Sequence, residues 1–132
     1  MKHIMIIDDS EMVLKAASRA LELAGFVVST TTDPSEFEPG AGIKPDLLLV
    51  DINMPQFFGH DVVGYFKAEW PIDFPVFMYS DIAEAELDKL AKECGADGYI
   101  SKGWGLERLI SSVQAILGKA PSGDSADSTS TD

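Results

Sequence analysis

A single cysteine, Cys94, stands among 132 residues, which excludes an internal disulfide and any metal site built on several thiolates. Within the helical spacing Leu87, Leu90, Ala91, Cys94 it reads as a small core residue rather than a reactive thiol. Basic residues are scarce: 10 Lys and Arg face 22 Asp and Glu, for a formal charge of -12. That balance repels a phosphate backbone, and no basic stripe with interleaved aromatics offsets it, so direct nucleic-acid binding is not expected. No apolar run approaches the roughly 18 residues needed to cross a bilayer. The first strand begins by Ile4, which leaves no space before it for a signal peptide. The expectation is a cytoplasmic protein without membrane contact. No internal repeat is visible.

What is present is a set of short apolar runs that end in chemistry. Ile4-Met5-Ile6-Ile7 leads to Asp8-Asp9, Leu47-Leu48-Leu49-Val50 to Asp51, Val76-Phe77-Met78-Tyr79 to Ser80, and Tyr99-Ile100-Ser101 to Lys102. Continuous apolar runs separated by helix-length segments read as strands buried on both faces of a parallel sheet. The carboxyl ends of such strands share one edge, so Asp8, Asp9, Asp51, Ser80 and Lys102 are expected to converge there. Neighbouring carboxylates raise one another's pKa unless a cation lies among them, and this set with a single lysine implies a divalent metal. A metal beside an exposed carboxylate suggests phosphoryl transfer. Each residue alone has a plainer reading: one of the acidic pair could cap the first helix, and Asp51 could be a strand-end turn residue. Their joint placement at the ends of different strands favours a site.

Between the strands, Val13, Ala16, Ala17, Ala20, Leu21 and Ala24 form one helix face over Ser10 to Ala24, and Gly25 stops it. Phe26 to Thr31 reads as the second strand. Asp33 to Pro45 predicts a short or irregular second helix, because Pro34 can open it and Pro39-Gly40 should end it. A third helix is expected over about His60 to Glu69, a fourth over about Ala83 to Cys94, and a fifth over about Leu106 to Leu117. The sequence thus predicts an α/β domain over residues 1–118, with five strands and five helices alternating. From 119 to 132 no large apolar residue occurs, which predicts a disordered polar tail.

The motifs Asp8-Asp9, Asp51-Ile52-Asn53-Met54-Pro55 with Gly59, Ser80, and Tyr99-Ile100-Ser101-Lys102 follow one another in a familiar order. The chain resembles the receiver domain of bacterial two-component response regulators over about residues 1–118. The resemblance implies a doubly wound, flavodoxin-like or CheY-like fold with strand order 2-1-3-4-5. It implies that Asp51 is the phosphoacceptor and that Asp9, Asp51 and the backbone carbonyl of Asn53 bind Mg²⁺, with Asp8 acting through water. Lys102 and Ser80 would contact the phosphoryl group, and Ser80 with Tyr99 would form the switch. The implied partners are a sensor histidine kinase or histidine phosphotransfer protein and an unnamed downstream protein. The signal would leave through the surface of the fourth helix, fifth strand and fifth helix. No enzymatic activity is implied beyond Mg²⁺-dependent phosphorylation and dephosphorylation of Asp51 itself.

Two positions depart from the family. Gly103 stands where proline usually follows the lysine, so the Lys102 loop could take another path. Asp81 follows Ser80 where a small residue is usual; with Glu84 it has the spacing of a helix-capping pair, the role expected here. These departures keep open a degenerate receiver that serves only as a phosphorylation-independent interaction module. Haloacid-dehalogenase-type phosphatases use a similar residue set in the reverse chain order. A flavodoxin-like electron carrier would need a phosphate loop where Asp8-Asp9-Ser10-Glu11 stands. His3 and His60 are expected to be ordinary surface or strand-edge residues.

Overall fold

The computed structural model describes residues 2–33, 45–51 and 74–118. The second and third expected helices, Asn53, His60 and the 119–132 tail lie outside the described residues. Five strands form one parallel sheet: β1 His3–Ile7, β2 Val27–Thr31, β3 Leu47–Val50, β4 Val76–Ser80 and β5 Gly98–Ser101. Their order is β2-β1-β3-β4-β5, as the resemblance implied. Helices α1 Glu11–Leu23, α2 Glu84–Cys94 and α3 Leu106–Leu117 are the expected first, fourth and fifth. A 3-10 turn, Lys102–Trp104, joins β5 to α3.

Every residue of β1 and β3 is buried, whereas β2 is half exposed, as its Ser and Thr content and edge position require. Alternate strand positions pack on opposite faces. Ile4, Ile6, Leu49, Tyr79 and Ile100 meet Leu14, Ala17 and Leu21 of α1 and Leu109 and Val113 of α3 in one core. Met78 meets Leu87 and Ala91 of α2 in another cluster. Burying each Leu or Ile contributes about 1.5–3 kcal/mol, which favours packing of the sheet against these helices. The side chain of Cys94 is not among those described.

The helices end where local chemistry says they should. Ser10 caps α1, its hydroxyl accepting from the Val13 amide at 3.3 Å, so neither member of the acidic pair is the cap. Gly95 closes α2 at φ 81, a left-handed conformation that costs glycine little. His3 is buried, not on the surface: its ring Nε2 lies 2.8 Å from the Ser29 hydroxyl, and its amide donates to Asp46 Oδ2 at 2.7 Å.

Candidate functional site

The register of the sheet brings the charged residues to one edge. Ile7 pairs with Val50, and the amide of Asp51 donates to the Ile7 carbonyl at 2.8 Å, so Asp8 and Asp51 leave adjacent strands at the same level. Ser80 pairs with Ser101 across β4 and β5, which places Lys102 one residue past that level.

Asp8 is fully buried and Asp51 nearly so, while Asp9 is exposed. One oxygen of Asp8 accepts from the Ser10 amide at 2.9 Å. The other lies 2.6 Å from the Lys102 ammonium, which also stands 3.5 Å from Asp51 Oδ2. Lys102 thus contacts two buried carboxylates in a poorly hydrated place, where unscreened charge is costly. Ligand oxygens from Asp8, Asp9 and Asp51 all lie within 4.8 Å of one another. Hard oxygen donors at this spacing, two of them buried and sharing one ammonium, suit Mg²⁺ or a cation of similar preference.

Two neighbours shape this edge further. Ser80 is buried, and its hydroxyl accepts from the Ile82 amide at 3.3 Å. The Tyr79 ring lies beneath Lys102, with the ammonium 5.5 Å from the ring centroid. Desolvation first and the Asp8 charge second push the Tyr79 phenol up to about 12, so the ring stays neutral.

After β5 the chain enters the 3-10 turn Lys102–Trp104. Gly103 donates its amide to the Ser101 hydroxyl at 3.2 Å, a bond that proline could not make. Among the described residues there is no cis peptide bond. Trp104 in the same turn donates its indole N–H to Glu84 Oε2 at 3.2 Å, and the Tyr99 hydroxyl donates to Glu84 Oε1 at 3.2 Å. The Tyr99 and Trp104 rings lie 5.9 Å apart, and the Arg108 guanidinium covers the indole at 3.9 Å. Tyr99, half-buried against the Met78, Leu87 and Ala91 cluster, is tied to α2 through Glu84.

The capping pair expected of Asp81 and Glu84 does not form. Ala83 is the N-cap of α2 and Glu84 its first residue, so Glu84 is two positions too early for the reciprocal bond. Asp81 is exposed. The sequence reading brought Asp8, Asp9, Asp51, Ser80 and Lys102 to the right edge, but it passed over Tyr79, counted as one more apolar strand residue. It also missed Glu84, whose role as acceptor for two aromatic side chains was hidden by the capping spacing. An aromatic residue immediately before the strand-end hydroxyl was the available signal for Tyr79.

Comparison with known proteins agrees with the geometry. The model of the response regulator receiver domain family matches residues 4–114. The chain is 34% identical over 116 residues to the transcriptional regulatory protein PrrA of Mycobacterium tuberculosis, covering 87% of this chain and 49% of that protein. It is 31% identical over 118 residues to the alkaline phosphatase synthesis transcriptional regulatory protein PhoP of Bacillus subtilis, covering 88% and 48%. The chain spans about half the length of these curated relatives. Among solved structures, the chemotaxis response regulator CheY4 of Vibrio cholerae superposes with a TM-score of 0.76 at 26% identity, covering 89% of this chain and 99% of that one. With the strand order, the acidic edge and the family match in agreement over most of its length, the chain belongs to the response regulator receiver domain family of two-component systems.

Proposed function

We propose that Asp51 accepts a phosphoryl group from the phosphohistidine of a sensor histidine kinase or histidine phosphotransfer protein. The observation that carries this reading is the meeting of Asp8, Asp9 and Asp51 within 4.8 Å, with Lys102 between the two buried carboxylates. In the transfer, the P–N bond of the donor breaks as a P–O bond forms at an Asp51 oxygen, and the imidazole leaves. Asp51 is a poor nucleophile towards a phosphate dianion until their mutual repulsion is screened. Lys102 provides part of that screening, and the Ser80 hydroxyl can donate to a phosphoryl oxygen. Asp8, Asp9 and Asp51, with the carbonyl of Asn53, would hold Mg²⁺, which when bound neutralises developing charge on the phosphoryl oxygens. Catalysis is confined to phosphorylation and dephosphorylation of this one side chain.

Phosphorylation adds close to two negative charges and strong acceptors beside Ser80 and Lys102. The signal then passes to a downstream protein through the face built by α2, β5 and α3, where Tyr99 lies. In this reading residues 1–118 form the receiver, 119–132 form a polar tail, and the protein works in the cytoplasm. No helix among the described residues is long and apolar enough to cross a membrane.

The test is incubation with acetyl phosphate and Mg²⁺ followed by mass spectrometry. One phosphoryl group is expected on Asp51, lost on Asp51→Asn. Labelling that persists in Asp51→Asn removes Asp51 from the role. An unlabelled wild-type protein with intact fold supports instead the phosphorylation-independent interaction module.

A further inference from the structure

We propose that Tyr79 is a positioning residue for Lys102, the face of its ring holding the ammonium against the Asp8 and Asp51 carboxylates. The inference rests on the reading above, in which Lys102 screens charge at Asp51.

Consecutive residues of a strand point to opposite faces, so Tyr79 and Ser80 approach the sheet edge from different sides. Tyr79 joins the core formed with Leu109 and Val113 of α3, and it pairs in register with Ile100, two residues before Lys102. Its ring is therefore fixed by packing rather than by the site. The Lys102 ammonium lies 5.5 Å from the ring centroid. That is within the roughly 6 Å over which the negative face of an aromatic ring attracts a cation. The Lys102 side chain is only 17% exposed, so water screens the attraction weakly.

The ammonium thus has three favourable neighbours: Asp8 at 2.6 Å, Asp51 at 3.5 Å and the ring. Lysine carries its charge on a flexible four-carbon stem, and the ring adds a third contact to the two carboxylates that hold it. An aliphatic side chain at position 79 would keep an apolar group in the core but offer no negative face, leaving the ammonium freer to turn towards solvent. The ring acts through Lys102 and touches no phosphoryl group.

The experiment compares Tyr79→Phe, which keeps the ring, with Tyr79→Leu, which removes it. Two quantities are read on the full chain: the rate of Asp51 labelling by acetyl phosphate with Mg²⁺, and the proton shift of the Lys102 ε-methylene by NMR without phosphodonor. Tyr79→Phe should match wild type in both. Tyr79→Leu should slow labelling by about 2- to 30-fold and lose the ring-current displacement of the Lys102 protons, with cooperative unfolding retained. Tyr79→Met takes the place of Tyr79→Leu if the latter does not fold. Labelling of the ring-free variant at the wild-type rate overturns the proposal. So does a Tyr79→Phe protein as slow as Tyr79→Leu, since the role would then lie in the hydroxyl. Failure of wild type to label overturns the phosphoacceptor reading instead. In that case the Lys102 shift decides the ring contact alone, and a shift unaffected by Tyr79→Leu overturns it.

Discussion

Lys102 is the residue on which the electrostatics of the site turn. It places a positive charge against Asp8 and Asp51, both buried, so its removal takes away a charge contact that water compensates poorly there. Lys102→Met should therefore lower metal-free stability by about 1–3 kcal/mol, less than the full cost of breaking a buried pair because the ammonium is partly exposed. Urea unfolding without divalent ions measures the loss, and unchanged stability would show that the ion pairs carry little net energy. The chain order of Asp8, Asp51 and Lys102 made their convergence legible, since each terminates or follows an apolar run. Their burial was not legible. Asp8 and Asp9 are neighbours, yet one is buried against the ammonium and the other is exposed, a difference set by the direction in which β1 delivers each side chain.

Among the elements, the join between α2 and the turn after β5 differs most from what the sequence suggested. The spacing of Asp81 and Glu84 fits a capping pair, but such spacing works only if the helix begins right after Asp81, and α2 begins at Glu84. The Glu84 carboxylate is thereby free to accept from Tyr99 on β5 and from Trp104 in the turn. The Tyr99 phenol is raised above its usual value by desolvation first, then by Glu84, whose charge opposes the phenolate and whose hydrogen bond favours the phenol. Asp88 adds to the rise and Lys92 opposes it. Glu84→Gln should therefore lower the Tyr99 titration midpoint, which NMR of the ring protons can follow, and an unmoved midpoint would mean the bond is not formed in solution. Because the folded state holds this proton more tightly, the associated stability is present below the ordinary tyrosine value of 10.0 and is lost as pH rises through the folded value. The strands and the final helix were easier to read. Leu106–Leu117 matches the expected bounds, because the apolar period and the following glycine mark its extent without help from distant residues.

For the molecule as a whole, a formal charge of -12 and an acidic edge lead to the expectation that cations stabilise the folded state. A ligand that binds only the folded state adds about 2.7 kcal/mol at a hundred times its dissociation constant, so Mg²⁺ should raise the melting temperature at constant ionic strength. Asp9→Asn should reduce that rise without lowering metal-free stability, because Asp9 is exposed while Asp8 and Asp51 are paired with Lys102. An equal rise with Na⁺ at matched ionic strength would assign the effect to general screening. The sequence by itself determined the parallel α/β architecture and the edge at which the charged residues gather. Apolar runs, helical periods and glycine stops are local signals, and parallel strands must end side by side. Only the tertiary structure decided which carboxylate meets Lys102, that the Tyr79 ring lies beneath it, and that Glu84 binds two aromatics instead of capping its helix. Those contacts join residues far apart in the chain, and their existence depends on register and side-chain direction, which no local pattern records.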